Sequence, residues 1–220
     1  MKLNLYRVSD KYIKYLMQFD KNIYDNKENS RIHKRKYIGI VLTINDFNYY
    51  VPMSSPKKSD YLDYEKKVIR NDTKTIIRIQ ESGRLYGTLR ISNMIPVPIT
   101  ELEPYILTYE TDEKYKQLIL GELRYINKNT DKIIKYSKIV YSQKMKNIDI
   151  GYIKNTVNFK VLEEKMNEWN ENWYIPKKRA IVPGITARFW KKQGSYVRYN
   201  CSLFTKHSCL RTVELPAFFK

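Results

Sequence analysis

The sequence predicts an α+β protein in which a strongly curved antiparallel β-sheet precedes a group of packed helices. Residues 1–100 contain short alternating apolar runs separated by turn residues, a pattern typical of strands. Residues 112–173 instead repeat apolar side chains at spacings of three and four, which is typical of helices. Helices that follow strands, rather than alternating with them, favour α+β over α/β. About six short strands in a meander tend to curl, so we expect a compact half-barrel.

The first half of the chain is predicted to consist of strands joined by tight turns, with one helix after the first strand. Ser9 is a suitable N-cap for that helix, because its hydroxyl can accept a hydrogen bond from the backbone two or three residues on. Within the helix, Tyr12 has the spacing of a core aromatic residue. Asn45 and Asp46 supply the turn of a hairpin. The predicted strands cover residues 3–8, 37–42, 47–53, 75–80, 85–91 and 94–97.

Three helices are predicted in the second half, over residues 112–128, 131–146 and 158–173. Thr130 is the predicted cap of the second of these. One side of the first carries residues at spacings of three and four: Tyr115, Leu118, Ile119, Glu122, Leu123 and Ile126. This spacing indicates the face that packs against the rest of the protein.

The charge balance favours a polyanionic partner. With 41 Lys and Arg against 23 Asp and Glu, the formal net charge is +18. Such an excess of positive charge causes repulsion within the folded protein and is typical of proteins that bind nucleic acid. A membrane is the weaker choice, because the chain has no uncharged run near the ~20 residues that a spanning helix needs. Residues 1–20 contain no secretory signal either, so we expect a cytoplasmic protein.

Residues 1–173 and 174–220 differ in composition. The first segment has no alanine or cysteine and ten aspartates, whereas the second has three alanines, both cysteines and no aspartate. We therefore predict a functional domain over residues 1–173 and a basic C-terminal extension of separate origin over residues 174–220. A basic arm that binds nucleic acid is the alternative interpretation of the second segment.

A candidate anion site lies at the end of the predicted strand 47–53. Ser54, Ser55, Lys57 and Lys58 supply two hydroxyls and two ammonium groups, and Pro56 fixes the backbone between them, which suits a phosphate. An ordinary surface turn has the same residue types and is the alternative interpretation. A second basic cluster leads into the strand at residue 37 and would bring positive charge close to the sheet: Arg31, His33, Lys34, Arg35 and Lys36.

The sequence contains no motif for a metal or a nucleotide cofactor. No H-x-E, C-x-x-C or Gly-rich phosphate loop is present, and two histidines and two cysteines are too few and too scattered for a zinc site. Cleavage of RNA can proceed without a metal or a cofactor. The 2′-hydroxyl of the substrate is the nucleophile, and the protein has only to align it, move protons and stabilise the phosphorane. A basic RNA-binding module without catalysis is the alternative.

Four blocks of the sequence resemble the ToxN/AbiQ endoribonucleases, the toxins of type III toxin-antitoxin and phage abortive-infection systems. The blocks are SDKYIKYL at 9–16, YIGIVL at 37–42, PMSSPKK at 52–58 and LRYINKNTDKI at 123–133. They have the family's order and compatible spacing, and the resemblance spans roughly residues 1–170. It leaves residues 174–220 unexplained.

The resemblance implies a fold related to the MazF/Kid toxins and a metal-independent endoribonuclease that needs no cofactor. Its expected partners are target RNA and an antitoxin RNA of pseudoknot repeats. The toxin cuts that RNA from a precursor and is then inhibited by it, and an RNA-bridged oligomer is one form of such a complex.

The resemblance also assigns residues. The family's catalytic groups fall on Tyr12, Ser54, Ser55 and Lys57. Lys57 would neutralise the phosphate oxygens, Ser55 would contact the scissile phosphate or the 2′-oxygen, and Tyr12 would serve the leaving 5′-oxygen. The products would be a 2′,3′-cyclic phosphate and a 5′-hydroxyl. The predicted RNA-binding residues are Arg31, Arg35, Lys36 and Lys58.

Overall fold

The computed structural model describes residues 2–26 and 33–170, and the backbone alone of residues 171–179, 189–192 and 195–198. The chain divides into two compact units, Met1–Asn170 and Glu171–Lys220. The candidate site lies in the first unit.

An antiparallel sheet of seven strands forms the centre of the first unit. The strands of this unit are β1 (Asn4–Val8), β2 (Tyr37–Ile44), β3 (Phe47–Ser54), β4 (Tyr61–Asp63), β5 (Val68–Ile69), β6 (Ile76–Glu81), β7 (Arg84–Arg90), β8 (Ile95–Pro96) and β9 (Leu102–Pro104). The sheet has the order β6-β7-β3-β2-β1-β9, with β8 beside β3, while β4 and β5 pair with each other.

This topology confirms the predicted α+β class and antiparallel sheet. The predicted meander is correct from β1 to β3 and again for β6 and β7, but its order is wrong between them, because β7 rather than β6 pairs with β3. The small β4–β5 pair lies in a charged stretch where no strand was predicted. The curvature of a half-barrel stays a prediction.

The β2–β3 hairpin determines where the candidate site lies. Its turn residues Asn45 and Asp46 have φ values of 47° and 70°, and positive φ at both central positions is what a type I′ turn requires. The register then pairs Tyr37 with Pro52. The start of β2 therefore lies beside the end of β3, which brings the basic residues before β2 close to Ser54.

Four helices accompany the sheet: α1 (Asp10–Met17), α2 (Glu113–Lys128), α3 (Thr130–Met145) and α4 (Phe159–Arg179). Ser9 caps α1 as predicted, since its Oγ accepts a hydrogen bond from Tyr12 N at 3.2 Å. Thr130 is not the cap of α3. It lies inside the helix, and its hydroxyl donates to the carbonyl oxygens of Ile126 and Asn127.

One apolar core joins the sheet to the helices. Its largest buried side chains include Tyr12 from α1, Tyr37 and Tyr49 from the sheet, and Phe159 from α4. Tyr49 packs edge-on against Phe159, with ring centroids 5.7 Å apart. None of the helices that the structure describes is long and apolar enough to cross a membrane.

In the second unit, α4 ends and two further strands, β10 (Phe189–Lys192) and β11 (Ser195–Arg198), form an antiparallel hairpin. The predicted division into a domain over residues 1–173 and an extension over residues 174–220 stays a prediction.

Candidate active site

A cavity of about 530 Å³ opens where β3 ends. It is lined by residues from the segment before β2, the end of β3 and the loop that follows it, β7, and α2: His33, Lys34, Arg35, Lys36, Met53, Ser54, Ser55, Pro56, Lys57, Tyr86, Tyr115, Leu118, Ile119 and Glu122. The floor is apolar and aromatic, whereas the charges are mostly positive. Such a cavity suits a ligand with both bases and phosphates.

The two serines that follow each other in the chain have different environments. Ser54 is the last residue of β3 and is only 5% exposed. Its Oγ accepts a hydrogen bond of 2.7 Å from Arg35 Nη1. Ser55 lies just beyond the strand and is exposed. Both line the cavity, so the structure brings a fixed hydroxyl and an accessible hydroxyl to one place.

Arg35 is held inside the protein instead of being displayed on the surface. The residue is 2% exposed, and besides Ser54 its guanidinium donates to the carbonyl oxygens of Met53 at 2.9 Å and Asp25 at 3.1 Å. Arg35 was predicted as an RNA-binding residue. Its burial and these bonds make it a positioning residue for the end of β3, and its contact with RNA stays a prediction.

Lys36 is buried too, although it lines the same cavity. It is 4% exposed, its Nζ donates to Tyr115 Oη at 2.7 Å, and the ammonium lies 4.6 Å from the centre of the Tyr105 ring. Burial, followed by the charge of Arg7, lowers the pKa of Lys36 to about 8. Lys36 therefore contributes charge to the cavity wall, and its contact with RNA stays a prediction.

The loop with Lys57 is anchored by a buried carboxylate. Asp60 is 1% exposed, accepts a hydrogen bond from Lys57 N at 3.0 Å through Oδ2, and pairs with Arg78 Nη2 at 3.4 Å and Arg90 Nη2 at 3.3 Å. Lys57 itself is exposed, and within the described residues its ammonium forms no ion pair. The Asp60 cluster, as we call Asp60, Arg78 and Arg90, thus fixes the backbone from which Lys57 reaches into the cavity.

Lys58, another predicted RNA contact, is not among the residues that line the cavity. Lys58 is exposed, and its Nζ lies 5.5 Å from the centre of the Tyr64 ring, on the outer side of the loop. Arg31 lies outside the described residues. His33, which was predicted only as part of the basic cluster before β2, stacks on Tyr115 with ring centroids 3.7 Å apart and forms an aromatic wall.

Tyr12 does not belong to this cavity. Its ring is fully buried in the core, and its hydroxyl donates to the carbonyl oxygen of Pro96 at 2.9 Å. Pro96 pairs with Tyr49, five residues before Ser54 on β3, which is roughly 17 Å along a strand. Burial raises the pKa of the Tyr12 hydroxyl. The structure makes Tyr12 the core aromatic residue that its helical spacing indicated, and its role at the leaving oxygen stays a prediction that this burial does not support.

Glu122 is the site residue that sequence reasoning missed. It is 5% exposed, yet it lines the cavity from α2. A methyl group on Gly87 would collide with Glu122 Oε1 and lie 3.2 Å from the carbonyl oxygen of Ser54, so both groups lie close to Gly87. Burial raises the pKa of Glu122 to about 8. The signal was present: a carboxylate at the helical spacing of Leu118, Ile119 and Ile126.

In the part of the chain that the structure describes, no three His, Cys, Asp or Glu side chains lie together in a way that could hold a metal ion.

Comparison with known proteins identifies a family. A protein-family model described as "Toxin ToxN, type III toxin-antitoxin system" matches residues 4–167. Endoribonuclease AbiQ of Lactococcus lactis subsp. lactis is 33% identical over 168 residues, which are 75% of this chain and 88% of AbiQ. Endoribonuclease ToxN of Pectobacterium atrosepticum is 27% identical over 172 residues, which are 77% of this chain and 95% of that protein.

Solved structures agree. That of AbiQ, described as a lactococcal anti-phage endoribonuclease of the type III toxin-antitoxin system, matches with a TM-score of 0.65 at 31% identity, over 78% of this chain and 99% of AbiQ. Another, from work on a processed non-coding RNA that regulates a bacterial antiviral system, also matches with a TM-score of 0.65, at 29% identity, over 76% of this chain and 98% of its own.

Proposed function

Because the chain belongs to the ToxN family of toxins of type III toxin-antitoxin systems, we propose that it is a metal-independent endoribonuclease toxin of the cytoplasm. It acts in abortive phage infection, processes an antitoxin RNA of repeated pseudoknots and is inhibited by it. One observation carries the catalytic part: Ser54, Ser55 and Lys57 meet in a basic cavity at the end of β3. Both relatives named above are endoribonucleases, which supports RNA cleavage as the reaction.

The reaction that this site supports is attack of the substrate's 2′-hydroxyl on the adjacent phosphate. Lys57 neutralises the non-bridging oxygens as charge develops on them, and Ser55 donates a hydrogen bond to one of them. Ser54 accepts from Arg35, so its own hydroxyl proton can point into the cavity as a second donor. Since the 2′-oxygen displaces the 5′-oxygen, the products are a 2′,3′-cyclic phosphate and a 5′-hydroxyl.

RNA also suits the rest of the cavity. The stacked pair of His33 and Tyr115 offers an aromatic surface to an unpaired base. The cavity wall carries four basic residues, Lys34, Arg35, Lys36 and Lys57, against one carboxyl group, Glu122. We place the whole activity in a domain over residues 1–173 with a MazF/Kid-like curved sheet, and we assign residues 174–220 to an extension.

Incubation of the purified protein with RNA in EDTA tests this proposal. We expect cleavage, with cyclic phosphate on the 3′ ends and hydroxyl groups on the 5′ ends. RNA that stays intact in EDTA and in Mg²⁺ while its mobility shifts in a salt-dependent manner would contradict the proposal and favour a binding module without catalysis.

Ser55→Ala tests the site itself. Loss of one donor to the transition state lowers the cleavage rate by about 10²–10³, whereas RNA binding should be retained because Lys57 and the aromatic wall are unchanged. Ser59→Ala is the matched control, since Ser59 is an exposed serine of the same loop that does not line the cavity. Equal rates for the two variants would remove Ser55 from the mechanism.

A further inference from the structure

The reaction needs a proton for the leaving 5′-oxygen, and the burial of Tyr12 leaves that step without a donor. A donor must be protonated at neutral pH, must reach the scissile phosphate and must not be held in other hydrogen bonds. Lysine ammonium groups supply charge here, but Lys36 already donates to Tyr115. The cavity is also lined by one carboxylic acid.

That acid is Glu122. Its carboxyl group lies against Gly87, to which the carbonyl oxygen of Ser54 is also close, and a side chain at residue 87 would collide with it. Among the described residues it makes no hydrogen bond and forms no ion pair, whereas Asp60 nearby has several partners. A buried carboxyl group without such partners is usually neutral, because burial disfavours the charged form.

We propose that Glu122 is the general acid of this site, whose neutral carboxyl group donates a proton to the 5′-oxygen as it leaves the scissile phosphate. This inference rests on the proposed ribonuclease function. It adds a catalytic residue on α2 to those that lie at the end of β3 and in the loop after it.

The step balances as follows. The bond between the 2′-oxygen and phosphorus forms, the bond between phosphorus and the 5′-oxygen breaks, and the 2′-hydroxyl proton passes to solvent water. Glu122 gives its proton to the 5′-oxygen and becomes a carboxylate. A proton from solvent then restores the carboxyl group, so no other reactant is consumed.

The surroundings of Glu122 supply a mixture of ionisable groups. Those that line the same cavity are His33, Lys34, Arg35 and Lys36 before β2, Lys57 after β3, Tyr86 on β7, and Tyr115 on α2 itself. The charge of Lys36 lowers the pKa of Glu122, but burial outweighs it, and the pKa is about 8. Glu122 is therefore protonated at neutral pH, as a general acid must be.

A sulfur-substituted substrate separates proton donation from positioning. A cleavage site is first mapped with the wild-type protein, and an RNA containing it is then made with either oxygen or sulfur at the 5′-bridging position. A thiolate leaves without a proton. We expect Glu122→Gln to cleave the oxygen substrate about 10²–10⁴ times more slowly than the wild type, and to cleave the sulfur substrate within about tenfold of the wild-type rate. Glu113→Gln, on the exposed first turn of α2, is the control.

The wild-type protein provides a second measurement that does not depend on how well the variant folds. Its rate on the oxygen substrate should fall above a pH of about 8, where Glu122 loses its proton, and this fall should be absent with sulfur.

Two results would overturn the inference: a Glu122→Gln variant that cleaves the oxygen substrate as fast as the wild type, or equal losses on both substrates. Neither affects the proposed function, which fails only if the wild-type protein cleaves no RNA.

Discussion

Two buried acids flank the loop of Ser55 and Lys57, and they differ in their partners. Asp60 is held by two arginines and by the backbone of Lys57. Glu122 is almost as buried, but in the described residues it has no hydrogen-bond partner, and burial raises its pKa to about 8. A buried acid with a full set of partners maintains the structure, whereas one without them is available for proton transfer.

Asp60 and Glu122 are both buried acids, but their surroundings give them different roles. In the Asp60 cluster two arginines and a backbone N–H contact the buried carboxylate, at the cost of removing three charges from water. The site of Glu122 lacks these compensations, so the neutral form is favoured. Asp60→Asn should therefore lower the stability of the protein, whereas Glu122→Gln should raise its stability and lower its cleavage rate.

The largest effect is expected from Asp60→Asn. The amide keeps the shape but leaves Arg78 and Arg90 buried without a counter-charge, which typically costs about 3–5 kcal/mol. Urea unfolding should show this loss, whereas Asp63→Asn, a more exposed position in the neighbouring β4, should change stability little. If both variants unfold at the same urea concentration, the Asp60 cluster does not hold the loop.

Glu122→Gln should instead make the protein more stable at high pH. The pKa of Glu122 is raised from 4.5 to about 8 in the folded state. Between these values the unfolded chain is ionised and the folded protein is not, so wild-type stability falls as pH rises, by about 1.4 kcal/mol per unit. Below pH 4.5 and above pH 8 this contribution is constant.

Thermal unfolding of both proteins at pH 5 and pH 7.5 tests this. The melting temperature of Glu122→Gln should exceed that of the wild type more at pH 7.5 than at pH 5. A constant difference would mean that Glu122 titrates alike in the folded and the unfolded protein. Lys36, with its pKa lowered to about 8, makes a contribution to stability that changes with pH only above that pH, so it does not affect this comparison.

A smaller effect should separate the two adjacent serines. Ser54→Ala removes the acceptor of the 2.7 Å bond from Arg35 Nη1 and leaves a buried donor with one partner fewer, which costs about 1–3 kcal/mol. Ser55→Ala removes an exposed hydroxyl and should leave stability unchanged. Chemical unfolding of both variants measures this difference, and equal losses would contradict the distinct environments of the serines.

The sequence predicted most strands and helices of this fold because their signals are local. Ser9 is a cap and Asn45-Asp46 a turn through contacts within a few residues. The burial of Arg35 and Lys36 could not be predicted in this way, because it depends on the register of β2 against β3 and on the approach of Tyr115 from α2. Consecutive charged residues are expected to be solvated, but elements that are distant in the sequence can bury them.

Tyr12 and Glu122 show the same limit for the site. Helical spacing alone placed Tyr12 in the core, which the structure confirms. The resemblance to a family instead assigned Tyr12 to the catalytic centre, but its side chain is buried in the core. The spacing that identified the buried face of α2 also included Glu122, and a carboxylate on such a face was the available sign of a functional group.

The smallest effect is expected from Tyr12→Phe, which compares the core with the cavity. The variant loses one buried hydrogen bond, from the hydroxyl to the carbonyl oxygen of Pro96, and should lose about 1 kcal/mol of stability. Its cleavage rate should match that of the wild type, because the hydroxyl lies far along β3 from Ser54. The decisive measurement is the rate at a temperature where both proteins are folded. A decrease of about a hundredfold, the size expected for a lost transition-state donor, would return Tyr12 to the mechanism and require the core around it to open when RNA binds.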